Sequence, residues 1–370
     1  MTDRFPRAVA AALCLAVCTA TAAIAQPRRG QPDRSLTAAE RNTVVDSVLA
    51  RVREAYVFPE RAAEMERAVR ARQRRGEYDR ITSSAALADS LTAHLRAVSH
   101  DGHLSVQYSY EPLSAGEPDA AQIARWDRER ASYNAYQNAH IEKVERLAGN
   151  VGYLQLTGFA NPEAALEPIR AAMAFLANTD ALIIDLRENH GGRPETVALL
   201  ASWLFGDQPV HVNTVVTRAG AESTEHWTKP EVPGAGRYGP QKPVYVLVSH
   251  GTFSAGEEFP YDLQALRRAT IVGETTGGGA HPVGPRRATE HFAAMVPFAR
   301  AVNPVTHTNW EGTGVHPDVA VAPAEALTAA HRLALQALLP KAVDDYRRDE
   351  IAGALAQLGD APSAAAAGGR

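Results

Sequence analysis

An α/β core behind a helical N-terminal region is the fold class that this sequence predicts, and three observations predict it. From Val151 onward, short apolar runs of strand length alternate with segments at helical spacing. Two of those runs, 181–186 (ALIIDL) and 243–249, are almost continuously apolar, as strands covered on both faces are. Before residue 100, apolar residues recur at helical spacing.

In chain order, Thr37 and Glu40 form a capping box ahead of the stripe Val44, Val45, Val48, Leu49 and Val52, which starts a helix. Residues 56–59 (YVFP) interrupt it, and two further amphipathic segments follow, the second with Leu87, Leu91, Leu95 and Val98 on one face. Residues 122–146 are charged and helical in pattern, as a linker helix or a cap over a site would be. Next come a strand from Val151, a helix over 164–176, the strand 181–186, a helix over 197–205 and strands at 209–217 and 243–249. A helix over 254–268, a strand at 270–273 and a hairpin between Ala288 and Val302 complete the core. Residues 229–242, rich in Pro and Gly, read as a surface loop, and 361–370 as a low-complexity, disordered tail. No internal repeat is present.

Arg4 and Arg7, the apolar run from Ala8 to Ala20 and the small residues up to Ala25 have the three regions of a secretory signal peptide. The expected division is therefore a signal peptide at 1–25, a helical domain at 26–100, an α/β core at 101–340 and a C-terminal helix with a tail at 341–370. The apolar run is too short to span a bilayer, and no later segment approaches that length. This points to an exported protein, periplasmic or secreted. Both cysteines, Cys14 and Cys18, lie in the leader, so the mature chain has no disulfide, thiolate metal site or cysteine nucleophile. A formal net charge of −4 gives no support for nucleic-acid binding.

The region 244–282 carries the chemistry. It sets Ser254 at the junction of a buried strand and a helix, where a hydroxyl gains the free amides and positive potential of the helix N-terminus. Ser254 with Glu257 is also a capping box, and the two readings are compatible. A serine nucleophile needs a proton acceptor, and four of the thirteen histidines stand in unusual surroundings: His103, His190, His281 and His316. His100 and His103 have no evident set of further ligands for a metal, and nothing requires an organic cofactor. Residues 184–193 (IDLRENHGGR) offer glycine amides just past a buried strand, as an oxyanion hole requires, or equally form an ordinary strand-to-helix turn with Pro194 opening the helix.

Four ordered motifs, 184–192 (IDLRENHGG), 252–257 (TFSAGE), 272–278 (VGETTGG) and 311–319 (EGTGVHPDV), spread over about 135 residues. By these the chain resembles the tail-specific, C-terminal processing serine proteases, in a branch similar to the interphotoreceptor retinoid-binding protein and the tricorn core. The resemblance runs from about Val98 to Val321. It implies a crotonase/ClpP-like α/β core with mixed sheets and Ser254 as nucleophile. The lysine base usual in that family would fall about 25 positions after the serine, and that residue is Gly279. What the tricorn-like branch implies instead is His103, within 101–104 (DGHL), as base and Glu311 as supporting carboxylate. Ala255 N–H with Gly191 N–H, or Gly192 N–H in its place, would bind the oxyanion. Should His103 not be the base, His281 is next, because it lies near the absent lysine. Asp185 and Arg187 read as structural. About 43 residues separate Tyr108 from Asn150, too few for the PDZ module that processing proteases carry, so strict recognition of a protein C-terminus is not implied.

Two functions follow as expectations. The first is an exported serine peptidase acting on peptides or proteins through an acyl-enzyme on Ser254, with its oligomeric state left open. The second is a non-catalytic binding protein for peptides or apolar ligands of the retinoid or fatty-acid kind. Serine, a candidate histidine and the glycine turns together favour the enzyme.

Overall fold

The structure is a computed structural model that describes residues 31–116, 120–220, 222–232 and 236–359. The expected signal peptide and the tail at 361–370 lie outside these residues. Two compact units are formed: residues 31–132, 217–219 and 282–299 make one, and residues 133–216, 220–281 and 300–359 the other. The stretch 282–299, which the sequence assigns to the α/β core, packs instead with the N-terminal helices.

The first unit begins with α1 (Ala38–Ala55), whose N-terminus is closed by the expected box: Thr37 N–H donates to Glu40 Oε2 at 2.8 Å and Glu40 N–H to Thr37 Oγ1 at 3.2 Å. It ends at Tyr56, and Pro59 opens α2 (Pro59–Arg74), where a missing N–H costs nothing. Helix α3 (Ser84–Ser99) is capped by Ser83 and stopped by His100, whose left-handed φ of 58° breaks the helical path. Strand β1 (Ser105–Tyr108) follows, and then α4 (Ala120–Tyr136). The helices bury Val45, Val48, Met65, Leu87, Leu91 and Leu95 in one core.

In the second unit the charged segment expected to stay helical to 146 does not. Asn138, Ala139 and His140 all take positive φ, and the chain continues as β2 (Ile141–Leu147). Its charged side chains Glu142, Lys143 and Glu145 suit the edge of a sheet. Then come β3 (Val151–Leu156), α5 (Pro162–Leu176), β4 (Ala181–Asp185), α6 (Pro194–Ala201), β5 (His211–Thr217), β6 (Ser223–Trp227), β7 (Val244–Val248), α7 (Ala255–Ala265) and β8 (Thr270–Gly273).

Strands β9 (Val283–Arg287) and β10 (Phe292–Pro297) return to the first unit, where β10 pairs with β1, Ser105 opposite Met295. The hairpin thus lies earlier than the expected 288–302, with its turn at 288–291. Strand β11 (Ala299–Val302) joins a separate sheet in the order β11-β5-β6. The second unit closes with β12 (Val319–Ala320), α8 (Pro323–Leu338) and α9 (Asp345–Gln357).

Its main sheet has the order β12-β8-β7-β4-β3-β2, parallel throughout except for β2. One face packs on α5, α6 and α7 through Ile169, Leu200 and Phe259, the other on α8 through Ala330 and Leu335. Both central strands, β4 and β7, are buried along their whole length, which explains their unbroken apolar runs. This is the α/β class with mixed sheets that the sequence predicts, after a helical N-terminal region. In a parallel sheet the loops at the carboxyl ends of adjacent strands gather on one edge, and the exits of β4, β7 and β8 do so here.

Candidate active site

At the exit of β4, Asp185 is buried, takes a two-pronged contact from Arg187 (2.9 and 2.6 Å) and accepts from Tyr153 Oη at 2.7 Å. Arg187 in turn donates to Pro323 C=O at 2.5 Å. All of these contacts are internal, in keeping with a structural role. Asn189, fully buried, donates to Leu156 C=O at 3.3 Å, and its backbone carbonyl accepts from Phe253 N–H at 3.0 Å. It therefore ties the β4 turn to the turn after β7.

Ser249 and Thr252 brace that second turn, donating to Arg187 C=O (2.6 Å) and Leu186 C=O (2.8 Å). Ser254 follows with φ 57° and ψ −128°, a conformation that costs a side-chain-bearing residue of order 1–3 kcal/mol. Helix α7 starts at the next residue. Gly191 (φ 106°) lies flush against Ser254: a Cβ built on it would stand 2.7 Å from Ser254 Cβ and 3.2 Å from Ala255 N. Gly192 (φ 138°) passes Phe159 so closely that a Cβ would meet its carbonyl oxygen at 2.1 Å. The Gly191 N–H donates to Asn189 Oδ1 at 2.9 Å, so Gly191 serves the site by lacking a side chain more than by offering an amide.

Glu257 supplies the carboxylate half of the capping box, accepting from Ser254 N–H at 3.0 Å. The Glu257 N–H donates to Ser254 C=O at 2.8 Å. Fully buried, Glu257 also accepts from Thr276 Oγ1 (2.5 Å), Gly278 N–H (2.6 Å) and Gly279 N–H (2.8 Å). Burial raises its pKa, and these four donors hold it down in part. The carboxylate thus fastens the glycine-rich loop after β8 to the Ser254 turn. Sequence reading finds Glu257 only as a cap; the Thr-Gly-Gly run that it binds, 19–22 residues later, is the signal that pointed further.

Gly279, at the position of the family's lysine, contributes backbone alone. Just beyond it, Glu311 Oε2 accepts from Ala280 N–H at 2.5 Å and stands 3.4 Å from Nδ1 of the buried His281. Trp310 Nε1 anchors the segment to Gly279 C=O at 2.8 Å. Of the predicted residues, Ser254, Ala255, Gly191 and Gly192 therefore surround one turn, and Glu311 sits with His281. His316 contacts Thr275 Oγ1 at 3.2 Å, and exposed His190 contacts Gly251 C=O at 3.2 Å.

His103 belongs to the first unit, on the turn between α3 and β1. Its N–H donates to Oδ1 of buried Asp101 (3.0 Å), whose Oδ2 accepts from Tyr56 Oη (3.1 Å). Arg96 clamps the turn through Leu104 C=O (2.7 Å) and Gly102 C=O (2.6 Å). The imidazole is carried on a rigid loop.

Two successive stretches match family models: residues 36–143 the N-terminal domain of peptidase S41 in eukaryotic IRBP, and residues 150–321 peptidase family S41. Carboxyl-terminal-processing peptidase 2, chloroplastic, of Arabidopsis thaliana is 30% identical over 196 residues, 52% of this chain and 36% of that protein. The carboxyl-terminal-processing protease of Synechocystis sp. is 30% identical over 203 residues, 54% of this chain and 43% of that one. The chain thus spans less than half the length of either. Among solved structures, a lipoprotein from Streptococcus agalactiae (TM-score 0.53, 12% identity) covers 80% of this chain and 96% of its own. A protein from Parabacteroides merdae (TM-score 0.53, 18% identity) covers 86% and 97%. These two share the fold. With both family models matched in order and the four motifs inside the second match, the chain belongs to peptidase family S41.

Proposed function

We propose that the chain is an exported serine peptidase that cleaves peptide bonds through an acyl-enzyme on Ser254. The observation that carries this reading is the Ser254 backbone: a non-glycine residue held at φ 57° between a buried strand and a helix N-terminus, with a glycine pressed against it. In the proposed reaction Ser254 Oγ attacks the carbonyl carbon of the peptide bond and His103 accepts the hydroxyl proton. His103 then passes that proton to the leaving amine as the C–N bond breaks. Water, deprotonated by the same imidazole, releases the acid and restores the serine. Ala255 N–H and Gly192 N–H would hold the oxyanion, helped by the positive end of α7. Glu311 would orient or stabilise the imidazolium. The rigid His103 turn and the family resemblance support His103; the 3.4 Å approach of His281 to Glu311 makes His281 the alternative. Export rests on the sequence of residues 1–25, and among the described residues no helix is long and apolar enough to cross a membrane.

The test is the mass of the protein after incubation with a fluorophosphonate, followed by peptide mapping. An adduct on Ser254 is expected, lost in Ser254→Ala and in His103→Ala but kept in His281→Ala. The opposite pattern for the two histidines would transfer the base to His281. Glu311→Gln should fold and lose most turnover, and unchanged kinetics would remove it from the mechanism. No adduct on folded wild-type protein would sink the peptidase reading. The IRBP-type match over residues 36–143 favours an apolar-ligand carrier as the second reading, tested by saturable retinol binding in a fluorescence titration.

A further inference from the structure

Beyond the Ser254 turn, α7 carries Glu258 and Asp262 one turn apart on one side of the helix, 3% and 2% exposed. The Glu258 N–H donates to Ser254 C=O at 3.1 Å, so the pair begins on the turn that presents the serine. Asn303 Nδ2 donates to Asp262 Oδ1 at 2.8 Å, and the Asn213 side chain acts on Glu258. Glu258 Oε1, Asp262 Oδ2 and Asn213 Nδ2 are buried with no hydrogen-bond partner among the described residues.

The two asparagines settle which chemistry the cluster suits. Asn213 Oδ1 accepts from Thr214 N–H (2.8 Å), and Asn303 Oδ1 from Val305 and Thr306 N–H (2.9 and 3.1 Å). Their oxygens are thus engaged elsewhere; the Asn303 NH2 serves Asp262, and the Asn213 side chain acts on Glu258 without completing a hydrogen bond. A cation would call for those oxygens as ligands, whereas NH2 donors suit carboxyl oxygens. The charges that act on the pair are Glu195 at the start of α6 and the pair's own members, all negative. His226 on β6 is buried and kept neutral by that burial, with Glu195 opposing the effect. On β5 His211 is engaged by Thr214 Oγ1 and Asn213 C=O, and β8 has no titratable side chain.

We propose that Glu258 and Asp262 hold one proton between them, as an acid–carboxylate pair inside the helix that presents Ser254, and that losing this proton as pH rises destabilises the fold. In the protonated pair, the O–H of one carboxyl donates to the free oxygen of the other, and the Asn303 NH2 keeps serving Asp262 Oδ1. Ionising both would put two adjacent negative charges in a buried site without a cation. Burial raises both groups, Glu258 to about 7 from 4.5. The folded chain therefore keeps a proton that the unfolded chain has released. Stability is full at or below the ordinary carboxyl range and is lost as pH rises from there through about 7. If Ser254 is the nucleophile, as proposed above, the extra charge also opposes an oxyanion at the N-terminus of the same helix, and turnover falls on the alkaline side.

The test combines carboxyl 13C NMR titration of the wild type with urea unfolding at pH 5 to 8 of the wild type, Glu258→Gln and Asp262→Asn. One carboxyl resonance should titrate above pH 6 in the wild type and be absent from a variant. The wild-type unfolding constant should rise about tenfold or more over that range relative to Glu258→Gln. Carboxyls that all titrate below pH 5, or equal pH slopes for wild type and variants, would overturn the proposal. Should a variant fail to fold, the wild-type titration decides alone. Neither readout involves peptidase activity, so an inactive protein would count against the reading of Ser254 and leave this result standing.

Discussion

Ser254 holds a backbone conformation that glycine adopts at far lower cost, and the neighbours that enforce it are named: Asn189 C=O on Phe253 N–H, Thr252 on Leu186 C=O, and Glu257 on Ser254 N–H. Such strain persists only where the surroundings over-determine it. Ser254→Gly should therefore raise unfolding stability by about 1 kcal/mol in urea melts while removing fluorophosphonate labelling. A Ser254→Gly protein no more stable than wild type would mean that the turn is relaxed. Gly191→Ala should act in the opposite direction. Its Cβ would stand 2.7 Å from Ser254 Cβ at a φ of 106°, so a loss of about 1–3 kcal/mol and a misplaced serine are expected. The position of Ser254 between a buried strand and a helix is legible in the sequence because strand, small residues and helix follow one another without a gap. Its strain is not, because nothing local to TFSAGE demands positive φ; that demand comes from Asn189, 65 positions earlier.

At the scale of elements, Glu257 joins the start of α7 to the loop after β8. Its four donors come from both segments, so Glu257→Gln replaces an acceptor oxygen by an NH2 that must face N–H or O–H groups. The amides of Gly278 and Gly279 should exchange with solvent faster by roughly one to two powers of ten, with the rest of the sheet unaffected, as read by hydrogen exchange. Unchanged exchange at Gly278 and Gly279 would mean that the loop's other contacts, to Trp310, Gly312, Glu311 and Thr252, hold it without the carboxylate. The strands and helices of the second unit follow their apolar periodicity closely, since β4 and β7 are covered on both faces. The failure at 141–147 has an equally physical origin. An edge strand with Glu142, Lys143 and Glu145 turned to solvent has the same charged texture as a surface helix, and the three left-handed residues at 138–140 that end the helix carry no glycine to mark them.

For the whole molecule, the informative feature is that the first unit is discontinuous in sequence. Its core joins Val48, Leu91 and Leu95 to Phe292, Ala294 and Val296, some 200 residues later, and β1 has β10 as its partner. Helical periodicity made the N-terminal helices legible, but no local pattern announces that a distant hairpin completes their core. Val57 N–H also donates to Pro297 C=O at 2.9 Å, so the break between α1 and α2 is satisfied by the same hairpin. Closing so long a loop carries an entropic cost that the hairpin's burial must offset, and residues 31–132 alone would leave an apolar face and an unpaired strand in water. A fragment of residues 31–132 should thus show helical circular dichroism without a cooperative urea transition. Fusing residues 282–299 to its C-terminus through a flexible linker should restore the transition, because it returns Phe292, Ala294 and Val296 to the core and β10 to β1. A cooperative transition in the unfused fragment would show that the helices suffice. Failure of the fused chain, with the full-length protein folding normally, would mean that the hairpin needs the second unit to hold its register.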